Sequence, residues 1–141
     1  MKFRVVAQQT STNAQSPVRV VEQTTGREVG WINRYLDREY VRRLAPGTLR
    51  LYAHNLLHFV RWWDSIHHTG TVAAEDLTGS TLLDYVRFQS STEPRPAGST
   101  INARIATHTH HHTWYRRASS YPGSHHRACK NNFAACTCPI Q

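Results

Sequence analysis

LAPGTLRLYAHNLLHFVRWWDSI, residues 44–66, decides how the chain is read. On a helical wheel Leu49, Tyr52, Ala53, Leu56, Phe59, Val60 and Trp63 gather on one side, the three-and-four spacing of a helix that buries one stripe. A second stripe, Arg50, His54 and Arg61, recurs at spacings of four and seven and falls away from the first, so the same helix packs with one side and presents positive charge with another. Pro46 suits the first turn, where its missing N–H costs nothing and its fixed φ starts the helix.

Outward from this segment the helical pattern repeats. Across 28–43, Ile32, Tyr35, Leu36 and Tyr40 cluster on one side, with Arg34, Asp37, Arg38, Arg42 and Arg43 off it, giving a first helix that closes near Leu44. A loop over 67–72 containing Gly70 leads to a shorter helix over 77–91. Thr78 is its expected N-cap, and Leu82 and Val86, with Leu83 and Tyr85, are expected inside. Pro94 and Pro96 make 90–98 a linker that no helix crosses. Ser99 or Thr100 then caps a fourth helix, with Ile101 and Ile105 inward. Four helices on short loops predict an all-α bundle. Residues 1–27 lack helical periodicity but hold Val5-Val6, the Val18–Val21 run with Arg19, and a turn signal at Thr24, Thr25 and Gly26, so an extended arm or weak hairpin is expected there. The helical domain is expected over 28–116 and a poorly structured tail over 117–141.

The balance of charge points to an anionic partner. Seventeen Lys and Arg against nine Asp and Glu give +8, most often met by nucleic acid, although a solvated basic surface has the same signature. No apolar run approaches the roughly 20 residues of a membrane span, and MKFRVVAQQT lacks a signal-peptide core, so a cytoplasmic protein with no membrane partner is expected. Cys129, Cys136 and Cys138 are odd in number and close together, unlike a disulfide framework. No Gly-rich phosphate loop, paired carboxylates or serine triad is visible, which argues against an independent enzyme.

Thr48, Leu49, Arg50, Tyr52, Ala53, Leu56, Leu57, Phe59, Arg61 and Trp62, preceded by Leu36 and Leu44 and followed by TINARIA at 100–106, resemble the N-terminal core-binding domain of tyrosine recombinases, the phage integrase family. The stretch at 20–29, VVEQTTGREV, is similar to the lead-in of some integrase and transposase-type members. The resemblance implies a SAM-like four-helix module that forms half of a clamp around double-stranded DNA, with its second and fourth helices toward the major groove. Other recombinase protomers would be further partners. Carried over by position, the candidate DNA-binding residues are Arg43, Thr48, Arg50, His54, Arg61, Ser99, Thr100, Asn102 and Arg104. Helix N-termini, hydroxyls and guanidinium groups are suited to phosphate, and arginine also to guanine. The family's catalytic tyrosine, arginines, lysine and histidine sit on a separate C-terminal domain, whereas only 35 residues follow Ala106, with no matching H-x-x-R and Tyr. No strand cleavage by this chain alone is expected, and Tyr115 and Tyr121 are read as packing or loop residues.

Two details depart from the family. Family spacing puts Trp62 in the core while helical phase favours Trp63, so one is expected buried and the other free. Extending the inward stripe of the fourth helix reaches His108, His112 and Tyr115 where aliphatic or aromatic side chains are usual, and a buried imidazole without a partner costs about 1 to 3 kcal/mol. The helix is therefore expected to fray beyond Ala106, as it would if the reading frame were disrupted there and an unrelated tail followed. Two rivals to DNA binding are a helical protein-interaction module anchored by an exposed Trp62 or Trp63, and metal binding by His108, His112 and the three cysteines. The cysteine spacing fits no C-x-x-C knuckle, and neither metal nor cofactor is expected.

Overall fold

The computed structural model describes residues 2–9 and 13–119. Its elements in order are β1 (Phe3–Ala7), β2 (Val18–Glu22), α1 (Gly30–Val41), α2 (Pro46–His67), a single 3₁₀ turn (Ala74–Asp76), α3 (Gly79–Ser91) and α4 (Gly98–Ser119). The chain is mostly helical, and α2 is its axis. Leu49, Ala53, Leu56, Phe59 and Val60 are buried as the wheel predicts, with Tyr52 packed half-buried beside them, each large apolar side chain contributing roughly 1.5–3 kcal/mol. Pro46 occupies the first turn.

The N-terminal segment is less of an arm than its composition suggests. β1 and β2 pair antiparallel, Phe3 opposite Glu22 and Ala7 opposite Val18, and Phe3, Val18, Val20 and Val29 belong to the same core as α1 and α2. Polar groups fasten this hairpin. Asn33 of α1 accepts from the Val20 N–H at 2.8 Å and donates to the Val20 carbonyl at 3.1 Å, completing β2 where a third strand would otherwise lie. The Arg19 guanidinium, almost fully buried, binds Glu28 at 2.7 Å and also Asp37, whose carboxylate accepts from the Ser16 N–H as well. The Arg19 hydrogen bond is the largest influence on Glu28 and holds its carboxyl below the usual range. The expected four helices and N-terminal hairpin are both present, and the two-stranded sheet packs into the same core as the helices.

α1 closes with the Leu44 N–H donating to the Glu39 carbonyl and the Arg43 N–H to that of Tyr40, the crossed pair of a Schellman cap. Arg43 takes the left-handed position there, at φ 62°. Gly70 is required for a different reason. Its backbone lies against the buried Phe3 ring, a Cβ would stand 2.7 Å from Phe3 Cζ, and its carbonyl accepts from Trp31 Nε1 at 2.9 Å.

Trp62 and Trp63 are both buried, contrary to the expectation that one would be free. They diverge by one residue's rotation: Trp62 packs on Phe59, Tyr85 and Phe88, while Trp63 donates to the Thr71 carbonyl at 3.1 Å, so the two sides of α2 are covered by different neighbours. In α3 the Thr78 hydroxyl accepts from the Thr81 N–H as the N-cap reading requires. Tyr85 and Gln89 are its buried residues, Leu82 and Val86 are half-buried, and Leu83 is exposed, because α3 meets its neighbours on a narrow strip centred on Tyr85.

α4 differs most. It begins at Gly98, and the N–H groups of Thr100 and Ile101 both donate to the Ala97 carbonyl, so Ser99 and Thr100 lie inside the first turn rather than capping it. It does not stop at Ala106 but runs to Ser119, with Ile101 buried and Ile105 half-buried. The buried histidines are His108 and His111, while His112 lies half-buried in a cleft with Thr78, Gly79 and Arg116. The helix survives because aromatic rings take the imidazoles: His108 sits edge-on to Phe59 at 4.0 Å between centroids, and His111 edge-on to Trp31 and Tyr35 at 5.1 Å from each. Tyr121 and the three cysteines lie outside the described residues.

Candidate nucleic-acid interface

The cationic stripe follows directly from the way α2 packs. With Phe59 and Val60 turned inward, a spacing of four and seven places Arg50, His54 and Arg61 on the opposite, exposed side, and there they run alongside β1. Arg50 and His54 line a groove with Val5, Val6, Ala7 and Val18. Arg61 donates to the Phe3 carbonyl at 2.5 Å, which fixes its guanidinium near the start of β1.

Arg104 reaches this region from α4. Its guanidinium donates to Gln89 Oε1 at 3.1 Å, and Gln89 is fully buried in α3. His58 of α2 shares a hydrogen bond of 2.7 Å with the Tyr85 hydroxyl of α3. Burial pushes the His58 imidazole down to about 4, helped first by the charge of Arg104 and then by that of Arg61. Arg61 and Arg104, from different helices, both act on His58 through their charge.

The remaining candidates are more dispersed. Ser99, Thr100 and Asn102 are exposed on the first turns of α4. Thr48 is half-buried in the first turn of α2, where its own N–H already donates to the Ala45 carbonyl and Pro46 has none to offer. The start of α2 is thus poorer in free donors than its position in the sequence implies. Arg43 is exposed at the corner between α1 and α2. Among the described residues, Arg43 and Arg50 have no carboxylate within ion-pair distance, in contrast to Arg19, Arg38, Arg42 and Arg87. Neutralising either exposed charge is left to a partner or solvent.

Sequence reasoning missed the groups that hold the two helices in register. Asn55, buried on α2, donates to Thr107 Oγ1 at 2.9 Å and orients α4 across it, and His58 and Gln89 link α2, α3 and Arg104. His58 lies four residues beyond His54, a spacing that could have drawn attention to it. Gln89 carried no such signal.

His108 is enclosed against Phe59, whereas His112 lines the cleft beside α3. Among the described residues no three His, Cys, Asp or Glu side chains are grouped to hold a metal ion. No helix of the described residues is long and apolar enough to cross a membrane. Comparison of the chain with family models, with curated proteins and with solved structures finds no match.

Proposed function

We propose that this chain binds double-stranded DNA in the cytoplasm, as the non-cleaving half of a recombinase-type clamp with a SAM-like helical core. The observation that carries the reading is the exposed stripe of Arg50, His54 and Arg61 along α2, to which α4 adds Arg104 held by Gln89. Phosphates repeat along a duplex, and a row of cations on one rigid helix, joined by a cation from a second, meets several at once without reorganisation. Arg104 is pre-positioned by Gln89 and Arg61 by the Phe3 carbonyl, so little side-chain freedom is lost on binding. The resemblance of residues 18–106 to integrase core-binding domains supports the same reading.

The reading assigns no strand cleavage to the chain. The clamp contacts would come from Arg43, Arg50, His54, Arg61 and Arg104, with the exposed Ser99, Thr100 and Asn102 of α4 reaching the groove. The rival reading, a protein-interaction module anchored by an exposed tryptophan, loses its anchor because Trp62 and Trp63 are both buried. Fluorescence anisotropy with a labelled 30-base-pair duplex tests the proposal. Saturable binding that weakens at least tenfold on Arg50→Ala with Arg104→Ala is expected, whereas no binding at low salt, or binding indifferent to both substitutions, overturns it.

A further inference from the structure

The two outer edges of the hairpin are treated very differently. In the antiparallel ladder, residues whose N–H and C=O groups face the partner strand alternate with residues whose groups face away. The Gln23 N–H donates to the Lys2 carbonyl and the Gln8 N–H to the Pro17 carbonyl, which fixes the alternation: Phe3, Val5 and Ala7 turn their backbone groups away from β2, and Val18, Val20 and Glu22 turn theirs away from β1. On β2 the outward groups are taken. Ser16 serves Val18, Asn33 and the Val29 N–H serve Val20, and the Glu22 N–H donates to the Arg27 carbonyl. On β1 only the Phe3 carbonyl is engaged, by Arg61, and among the described residues the N–H and C=O of Val5 and Ala7 have no partner.

We propose that the open edge of β1 accepts an acidic extended segment of another protein as a third strand. An unpaired edge offering donors and acceptors in alternation matches a peptide backbone, which carries both. A phosphodiester backbone carries acceptors alone and would leave the Val5 and Ala7 carbonyls unmet. Charge selects the strand. The groove beside this edge, about 230 Å³, is lined by Val5, Val6, Ala7, Val18, Arg50 and His54 and holds no carboxylate, while Arg61 stands at its far end. Aspartate or glutamate at alternate positions of the incoming strand would face these cations. A second copy of this chain is a poor occupant, because pairing β1 with β1 would bring Arg4, Arg50 and Arg61 against their own equivalents. The strand would use Arg50 and His54, so it would exclude the DNA assigned to that face above, but its binding does not depend on that assignment.

The probe is a fluorescein-labelled seven-residue peptide of alternating glutamate and valine, titrated into the full chain without DNA. Expected are saturable binding, shifts of the Val5 and Ala7 amide resonances, and at least tenfold weakening both on Ala7→Pro, which removes an edge donor at the end of the strand, and on Arg50→Ala. The same peptide N-methylated on alternate residues, which leaves the protein untouched, should also lose at least tenfold in one of its two registers of methylation. Equal binding of polyglutamate or of both methylated peptides would show attraction by charge alone and overturn the proposal. So would an Ala7→Pro variant with an unchanged far-ultraviolet spectrum that weakens duplex binding but not peptide binding, or a homodimer at micromolar concentration in sedimentation that Ala7→Pro dissociates.

Discussion

His108 and His111 should make the protein acid-labile, and replacing them should both stabilise it and flatten its pH response. Neither ring nitrogen of either residue makes a hydrogen bond, and both side chains are about 1% exposed. Burial pushes His108 down to about 4 and His111 to about 3, the latter helped by the nearby His108. The folded state therefore holds both rings neutral, while the unfolded chain takes up protons below an ordinary histidine value of about 6.5. With more protons bound in the unfolded state, stability is fully present above about pH 6.5 and falls as the pH drops toward 4 and 3. At pH 5 each residue is about 1.5 pH units below its unfolded value, worth about 2 kcal/mol at 1.36 kcal/mol per unit, or about 4 kcal/mol for the pair. That is a large part of a domain stability of about 5–15 kcal/mol. Urea unfolding followed by circular dichroism at pH 7.5 and 5.0 measures it. In His108→Leu with His111→Leu the carboxylates titrate as before, so the difference between the two proteins isolates the pair. The variant should lose about 4 kcal/mol less over this interval and be more stable at pH 7.5, since two unsatisfied rings are gone. An identical loss in both proteins would refute the reasoning.

Three substitutions probe the frame. Gly70→Ala should cost about 1–3 kcal/mol and lower the melting temperature by several degrees, because the new Cβ would stand 2.7 Å from a Phe3 ring that is only 2% exposed and would have to shift. Arg43→Gly should raise stability by about 0.5–1 kcal/mol in the same melts, since a left-handed residue at φ 62° is relieved by losing its side chain. Asp37→Ala should cost about 2–3 kcal/mol, removing one acceptor of buried Arg19 and of the Ser16 N–H, and hydrogen exchange at the strand amides of β2 should accelerate while that of α2 changes only with global stability.

The helices were legible wherever apolar spacing or a cap declared them. Thr78 marked α3, and the apolar stripe of α2 could be read from its spacing, because Leu49, Ala53, Leu56, Phe59, Val60 and Trp63 all lie in the core. The tryptophans show the limit of a wheel: it yields one buried side, whereas α2 is covered on several, and Trp62 and Trp63 were forced into a choice that tertiary packing does not impose. The hairpin was underestimated for a related reason. It is fastened by Asn33, Glu28, Asp37 and Arg19, polar residues whose pairings are set by the fold and leave no periodic trace. In α4 the expected fraying assumed that histidine in a core position finds nothing to pack against, but Phe59, Trp31 and Tyr35 provide aromatic faces from two other helices. Of the candidate interface, the α2 stripe was visible as a spacing. The anchoring of Arg104 on Gln89 was not, since it depends on where α4 packs, and Asn55 ties α4 to α2 through Thr107.

The salt dependence of duplex binding tests the central claim most directly. If Arg43, Arg50, Arg61 and Arg104 each neutralise a phosphate, a plot of log affinity against log salt concentration should have a slope of about −3.6, and Arg50→Ala with Arg104→Ala should reduce it to about −1.8. A slope near zero, or one that both substitutions leave unchanged, would contradict the account.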